Sequence, residues 1–180
     1  PTTWSLEWGY RTVPFTPGLA DANPVARIPT LVTDDGDALG DSTLACLYLN
    51  DQSTDRKVIP DDTSKWRMWS LYAVADGMLE AQILMRAEHL RPQNIRSNSF
   101  IEKQKDRIVR CLDAIELRAG ELEGPLDLGQ ITVGVTLSYQ DWREWLDDFR
   151  SGRPELSAWY KNFADRPSMR ATEPQETPEH

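Results

Sequence analysis

Residues 23 to 49 constrain this chain more than any other stretch. They read Asn-Pro-Val-Ala-Arg-Ile-Pro-Thr-Leu-Val-Thr-Asp-Asp-Gly-Asp-Ala-Leu-Gly-Asp-Ser-Thr-Leu-Ala-Cys-Leu-Tyr-Leu. Pro29 fixes its own φ and donates nothing to a ladder, so it suits the first residue of a strand. Thr30-Leu31-Val32 is that strand. Asp34-Asp35-Gly36 is a tight-turn signal between two apolar runs, and Ala38-Leu39 begins the return. Asp41 and Ser42 then stand where a helix begins. Both are favoured caps, and the first turn of a helix leaves amide N–H groups without helical partners. Those donors and the helix dipole favour a carboxylate or a phosphate. The order is therefore loop, proline, hairpin and capped helix, and it can build a small anion-reading site out of backbone groups. Taken alone, Asp41-Ser42 reads as an ordinary cap.

The whole string resembles the second half of the thioredoxin-like domain in the glutathione S-transferase superfamily. Its Asn-Pro, basic, aliphatic, Pro pattern falls on Asn23-Pro24 and Arg27-Ile28-Pro29, followed by a hairpin and an acid-Ser pair. The resemblance implies a cis bond at Pro29 and backbone pairing of Ile28 with the cysteinyl part of glutathione. It places the γ-glutamyl group on Asp41 and Ser42, with Arg27 at the basic position. These five residues, Arg27, Ile28, Pro29, Asp41 and Ser42, are the expected glutathione-binding set. The match continues through Ala75-Asp76-Gly77-Met78-Leu79-Glu80-Ala81 and Glu88-His89-Leu90-Arg91-Pro92. Gly152-Arg153-Pro154-Glu155-Leu156, Trp159-Tyr160, Arg166-Pro167-Ser168-Met169 and Thr172-Glu173-Pro174 extend it. The branch it resembles is a bacterial type. The fold class implied is α+β, an incomplete thioredoxin-like N-terminal portion, followed by an all-α helical-bundle domain.

The 180 residues suffice for one or two small cores, and the net charge of −9 gives no electrostatic reason to bind nucleic acid or an anionic membrane. No apolar run approaches a membrane span and no signal-peptide pattern opens the chain, so the expectation is a cytoplasmic protein. Two histidines, His89 and His180, exclude a multi-histidine metal site. Cys46 and Cys111 lack metal or redox spacing and read as buried structural thiols.

The expected organisation is a partial thioredoxin-like glutathione-binding domain at 1–50, a linker at 51–60, a helical domain at 61–174 and a mobile tail at 175–180. Trp4, Leu6 and Trp8 alternate like a short strand. Trp66, Trp69, Tyr72, Ala73, Asp76 and Leu79 or Glu80 recur at helical spacing, with Asp61 or Asp62 as cap and Pro92 as stop. A second helix spans Ser99 to Ala119, ended by Gly120. Asp127 with Gln130 is close to a capping box and opens a third helix, whose uncharged run Ile131–Leu137 reads as fully buried. A last amphipathic helix runs from Pro154 to Asp165, with Leu156, Trp159, Tyr160 and Phe163 on one side.

Other candidates have bland readings beside the functional one. Asp76 and Glu80 could form a carboxylate pair, but acids four apart on a helix more often meet solvent or a cation such as Arg86. Met78, Leu84 and Met85 could line an apolar pocket, or belong to the core. Arg86, Glu88, His89 and Arg91 could hold a ligand, or answer the dipole at a helix end. Trp66 and Trp69 could serve an interface, or simply pack.

Enzymes of this superfamily activate the glutathione thiol with a Tyr, Ser or Cys after the first strand. No matching motif precedes Asn23; Ser5 and Tyr10 are hydroxyls nearby but sit in no such motif, so the catalytic residue is unassigned. The family's first strand and first helix have no counterpart, which leaves three explanations open: an omitted segment, a replacement built by residues 1–22, or a degenerate member. The expected function is glutathione transfer to an electrophilic apolar substrate if the catalytic segment is supplied. The alternatives are a non-catalytic binding or scaffolding protein of the same fold, and a glutathione-dependent isomerase or peroxidase. Glutathione is the expected cofactor or substrate, with no metal. The expected partners are glutathione, a small electrophile and a second copy in a homodimer.

Overall fold

The structure is a computed structural model and describes residues 18–143 and 146–173. The Trp4–Trp8 alternation, Ser5, Tyr10, Trp145 and the tail from 175 lie outside the described residues. The chain divides into two compact units, residues 1–57 and 58–180. The division falls inside the 51–60 stretch.

In the first unit a short helix, α1 (Leu19–Ala22), leads to β1 (Leu31–Val32) and β2 (Ala38–Leu39). The strands pair antiparallel, Leu31 opposite Leu39 and Val32 opposite Ala38. The Thr33–Gly36 turn closes with a Gly36 N–H bond to Thr33 O at 3.0 Å. Gly36 has φ 91°, a region that costs any side-chain-bearing residue and costs glycine nothing. Helix α2 (Ser42–Gln52) follows directly. Among the described residues of this unit, the buried positions are Asn23, Ala45, Asn50 and Ser53.

The second unit is helical. Helix α3 (Lys65–His89) buries one stripe, Met68, Leu71, Tyr72, Ala75, Met78, Ala81, Gln82, Met85 and Glu88, at the three- and four-residue spacing of a helix face. Helix α4 (Asn98–Glu116) runs antiparallel to it, as three polar contacts along their length show. Ser97 N–H donates to Glu88 Oε1 at one end, Arg107 meets Glu80 in the middle, and Arg118, just past α4, reaches Ser70 Oγ at the other. Helix α5 (Leu128–Trp142) runs parallel to α3. Gly129 faces the Met68 carbonyl, Thr136 Oγ1 donates to Ala75 O, and Gln82 Nε2 donates to Gln140 Oε1 at 2.9 Å. Helices α6 (Pro154–Ala164) and α7 (Pro167–Ala171) complete the unit. Its core gathers Leu71, Met78, Met85, Leu112, Ile115, Val133, Leu137, Phe149 and Leu156. Burying each such side chain stabilises the fold by roughly 1.5–3 kcal/mol.

Several sequence expectations are corrected. The N-cap of α3 is Ser64 and not Asp61 or Asp62, because a turn closed by Lys65 N to Asp62 O leads into the helix; Asp62 accepts from Ser64 N at 2.8 Å. Helix α4 ends at Glu116, and Gly120 lies within a following 3₁₀ turn, Ala119–Leu122, that Arg118 and Glu121 hold closed. The Ile131–Leu137 run is not buried all round. Val135 is 44% exposed, because α3 and α6 cover only part of α5. The amphipathic helix after Pro154 is not the last, since Pro167 starts α7. No helix among the described residues is long and apolar enough to cross a membrane.

Candidate functional site

The candidate site lies in the first unit and consists of two short segments. The first is the loop from Asn23 to Thr30. Its Ile28–Pro29 peptide bond is cis. Arg27, Ile28 and Pro29 are exposed. Neither the N–H nor the carbonyl of Ile28 has a hydrogen-bond partner among the described residues. A backbone unit left open in this way is available to pair with an extended peptide.

The second segment is the start of α2. Asp41 is the N-cap, with extended φ and ψ, and its carboxylate accepts from Thr43 N at 2.7 Å and from Leu44 N at 3.4 Å. A hydrogen bond from the Thr43 side chain is the main cause that holds the Asp41 carboxyl below the usual aspartate range; the backbone bonds from Thr43 and Leu44 and nearby Arg27 add to it. Ser42 is the first helical residue and is exposed. Its N–H points out of a helix start, where no helical acceptor exists. An ionised carboxylate beside the open Ser42 N–H at a dipole's positive end can answer both charges of a zwitterionic α-amino acid group. The two segments are tied through Asn23, whose side-chain amide donates to Arg27 O in the loop and to Gly40 O, the residue just before Asp41.

Asn23 was visible in the sequence only as the start of an Asn-Pro pair. The loop signal named a turn residue, and nothing local indicates that this side chain is buried.

The remaining candidates fall in the second unit, and packing accounts for most of them. Met78 and Met85 are core, and Leu84 is partly exposed. Glu80 pairs with Arg107 of α4 at 3.4 Å rather than with Arg86. Glu88 is buried, accepts from Ser97 N at 2.6 Å and pairs with Arg91. Burial holds the His89 imidazole below its usual range, with Arg96 and Lys105 adding to the effect. Trp69 packs edge-on against Tyr72 and Trp159 stacks on Phe163, whereas Trp66 is 68% exposed. Cys46 and Cys111 are half-buried, not buried as expected, because each sits at the margin of its helix's packed face. Burial still pushes both thiols up, away from the reactive thiolate. A shallow cleft beside α4 is lined by Met85, Lys105, Ile108, Leu112, Gln140 and Arg153. Among the described residues no cluster of His, Cys, Asp and Glu could hold a metal ion.

A short hairpin followed by a capped helix and a helical domain fits a thioredoxin-like N-terminal portion joined to a helical C-terminal domain. Comparison with known proteins gives the same class. The family model described as glutathione S-transferase, N-terminal domain, matches residues 4–52. A glutathione transferase family member from Pseudomonas fluorescens Pf-5, solved with bound glutathione, is 35% identical. The match covers 89% of this chain and 80% of that one, with a TM-score of 0.86. A glutathione S-transferase from Methylobacillus flagellatus KT, also solved with glutathione bound, is 29% identical over 88% of this chain and 81% of its own, with a TM-score of 0.82. The uncharacterized GST-like protein YibF of Escherichia coli K12 is 29% identical, covering 87% of this chain and 80% of that protein. The chain belongs to the glutathione S-transferase superfamily.

Proposed function

We propose that this chain binds glutathione through Arg27, Ile28, Pro29, Asp41 and Ser42. With a thiol-activating group in place, it transfers the glutathione sulfur to an electrophilic carbon of an apolar substrate. The observation that carries the reading is the exposed, unpaired Ile28 backbone, on a loop bonded through Asn23 to Gly40, the residue before the Asp41 cap. Glutathione is a tripeptide with an amino-acid zwitterion at one end and a thiol in the middle. The Ile28 N–H and carbonyl would pair with the cysteinyl backbone. The Asp41 carboxylate keeps lone pairs beyond those given to Thr43 and Leu44, and these would accept from the γ-glutamyl ammonium. The Ser42 hydroxyl and N–H would donate to the γ-glutamyl carboxylate. Arg27 adds positive charge on the same side. Binding of glutathione by the Pseudomonas and Methylobacillus relatives supports this reading.

The chemistry needs the thiolate, because the thiol is a poor nucleophile. A donor aimed at the sulfur lowers its pKa. The thiolate then attacks the electrophile, forming a carbon–sulfur bond as the leaving group departs with its electron pair. Calorimetry with glutathione on the chain and on Ser42→Ala tests the first step. The proposal expects micromolar to millimolar binding that the substitution abolishes or greatly weakens. A folded chain that binds no glutathione refutes it. Turnover with a panel of aryl and alkyl electrophiles tests the second step; binding without turnover would leave a glutathione-binding module.

A further inference from the structure

We infer that Asn23 is a positioning residue for this site: its side-chain amide, seated against Gly40, sets the spacing between the Ile28–Pro29 loop and the Asp41–Ser42 helix start. The inference rests on the glutathione reading given above.

Asn23 is 5% exposed, so it acts on a ligand only through its neighbours. Its Nδ2 lies 3.2 Å from Arg27 O, 3.1 Å from Thr30 Oγ1 and 3.4 Å from Gly40 O. An amide nitrogen carries two hydrogens, so three acceptors share them. Its Oδ1 accepts from Val25 N at 3.1 Å. Thr30 Oγ1 in turn donates to Arg27 O at 2.7 Å. These bonds fix residues 27 and 30, one on each side of the Ile28–Pro29 pair. The bond to Gly40 O fixes the residue immediately before Asp41. The groups offered to the ligand are themselves open, so their separation is set by what holds the flanking residues: the Leu31–Leu39 strand pairing and, at residues 27, 30 and 40, this buried amide.

Gly40 completes the contact. A Cβ at this position would lie 2.6 Å from Asn23 Nδ2 and 2.7 Å from its Cγ, well inside any real contact. Gly40 does not have a positive φ of the kind that demands glycine. The requirement is room for Asn23. Glycine here lets the β2 end approach the amide closely enough to bond.

The test separates positioning from mere folding. Asn23→Asp keeps the size and the acceptor to Val25 but replaces the donor with an oxygen facing three acceptors. Gly40→Ala crowds the same contact from the other side. Thr30→Val is the mild variant, removing one acceptor of the amide and the hydroxyl's own bond to Arg27 O while leaving the shape. Glutathione affinity is measured on each by calorimetry. Gly134→Ala, in the second unit, serves as a destabilised control.

We expect Asn23→Asp and Gly40→Ala to weaken glutathione binding by about tenfold or more, the scale of losing one hydrogen bond to a charged group of the ligand. Thr30→Val should weaken it less, and the control should bind like the parent. In an Asn23→Ala background, Gly40→Ala should add little, because the crowded partner is gone. Parent-like affinity in Gly40→Ala and Thr30→Val overturns the inference.

If the parent binds no glutathione, the reading of the site falls, and the positioning claim is decided in the ligand-free protein. There the amide cross-peaks of Ile28 and Ser42 should shift together in Thr30→Val and Gly40→Ala, with those of Asn50 and Gln52 at the far end of α2 unmoved. Unshifted Ile28 and Ser42 signals overturn the claim independently of any ligand.

Discussion

Gly134→Ala should destabilise the helical unit although alanine is the better helix former. A Cβ at Gly134 would lie 2.3 Å from Phe163 Cε1 and 2.5 Å from Cδ1, where ordinary contact begins at 3.4 Å. The ring must therefore retreat by about 1 Å, the distance that separates such a clash from contact in a close-packed interior. It has little room. Phe163 is 7% exposed and stacks on Trp159 with centroids 4.5 Å apart. Trp159 is itself tied by its indole N–H to Leu122 O at 3.0 Å. Overpacking of this kind costs about 1–3 kcal/mol. Replacing a helical glycine by alanine returns about 1 kcal/mol. An overlap this deep belongs in the upper half of the overpacking range, about 2–3 kcal/mol, so the net loss should be about 1–2 kcal/mol, a drop in Tm of about 2–4 °C per kcal/mol for a chain of this size. Urea unfolding followed by far-ultraviolet circular dichroism measures it. The same substitution in a Phe163→Ala background should cost nothing or stabilise, giving a coupling above about 1 kcal/mol. A neutral or stabilising Gly134→Ala, or an equal cost in both backgrounds, would refute the packing argument.

The two aspartate caps should respond to pH in opposite senses. Asp41 is held below its ordinary pKa by the Thr43 bond, so its contribution is full above the ordinary aspartate range and is lost as pH falls through the lowered folded value. Asp127 is pushed up by burial although it accepts from Gln130 N at 2.9 Å, so its charge costs stability that sets in as pH rises from about 4 through the raised folded value. Asp127→Asn, an equally good cap, should therefore cost little or stabilise at neutral pH. Asp41→Ala should weaken α2 by about 1 kcal/mol, read as faster hydrogen exchange at Thr43 and Leu44. Glu88→Ala leaves the Ser97 N–H without its partner and should cost about 1–3 kcal/mol, while Glu88→Gln, which keeps an acceptor, should recover most of it. Equal losses in the two Glu88 variants would count against a hydrogen-bonding role.

The parts legible in the sequence are those set by local chemistry. Gly36 marks the turn because its φ is positive, and Asp41 and Asp127 mark helix starts because a short carboxylate reaches the open N–H groups two or three residues on. The α3 stripe follows from helical spacing. The parts that were hidden depend on distant neighbours. Glu80 takes its cation from another helix, which a rule about one helix cannot see. Gln82 and Gln140 look like surface residues, yet both are buried and bond across α3 and α5. The exposure of Val135 depends on what covers α5. In the candidate site, the cap and the proline stood out, but the burial of Asn23 against Gly40 needs residues seventeen apart to meet.

The central claim is that Ile28 and the Asp41–Ser42 helix start hold glutathione. Titrating isotopically labelled protein with glutathione and following the backbone amide signals tests it most directly. The account predicts saturable shifts concentrated at Ile28, Ser42 and Thr43, with the second unit's core signals, such as Met78 and Leu137, unmoved. Binding with shifts elsewhere and none at Ile28 or Ser42 would contradict it.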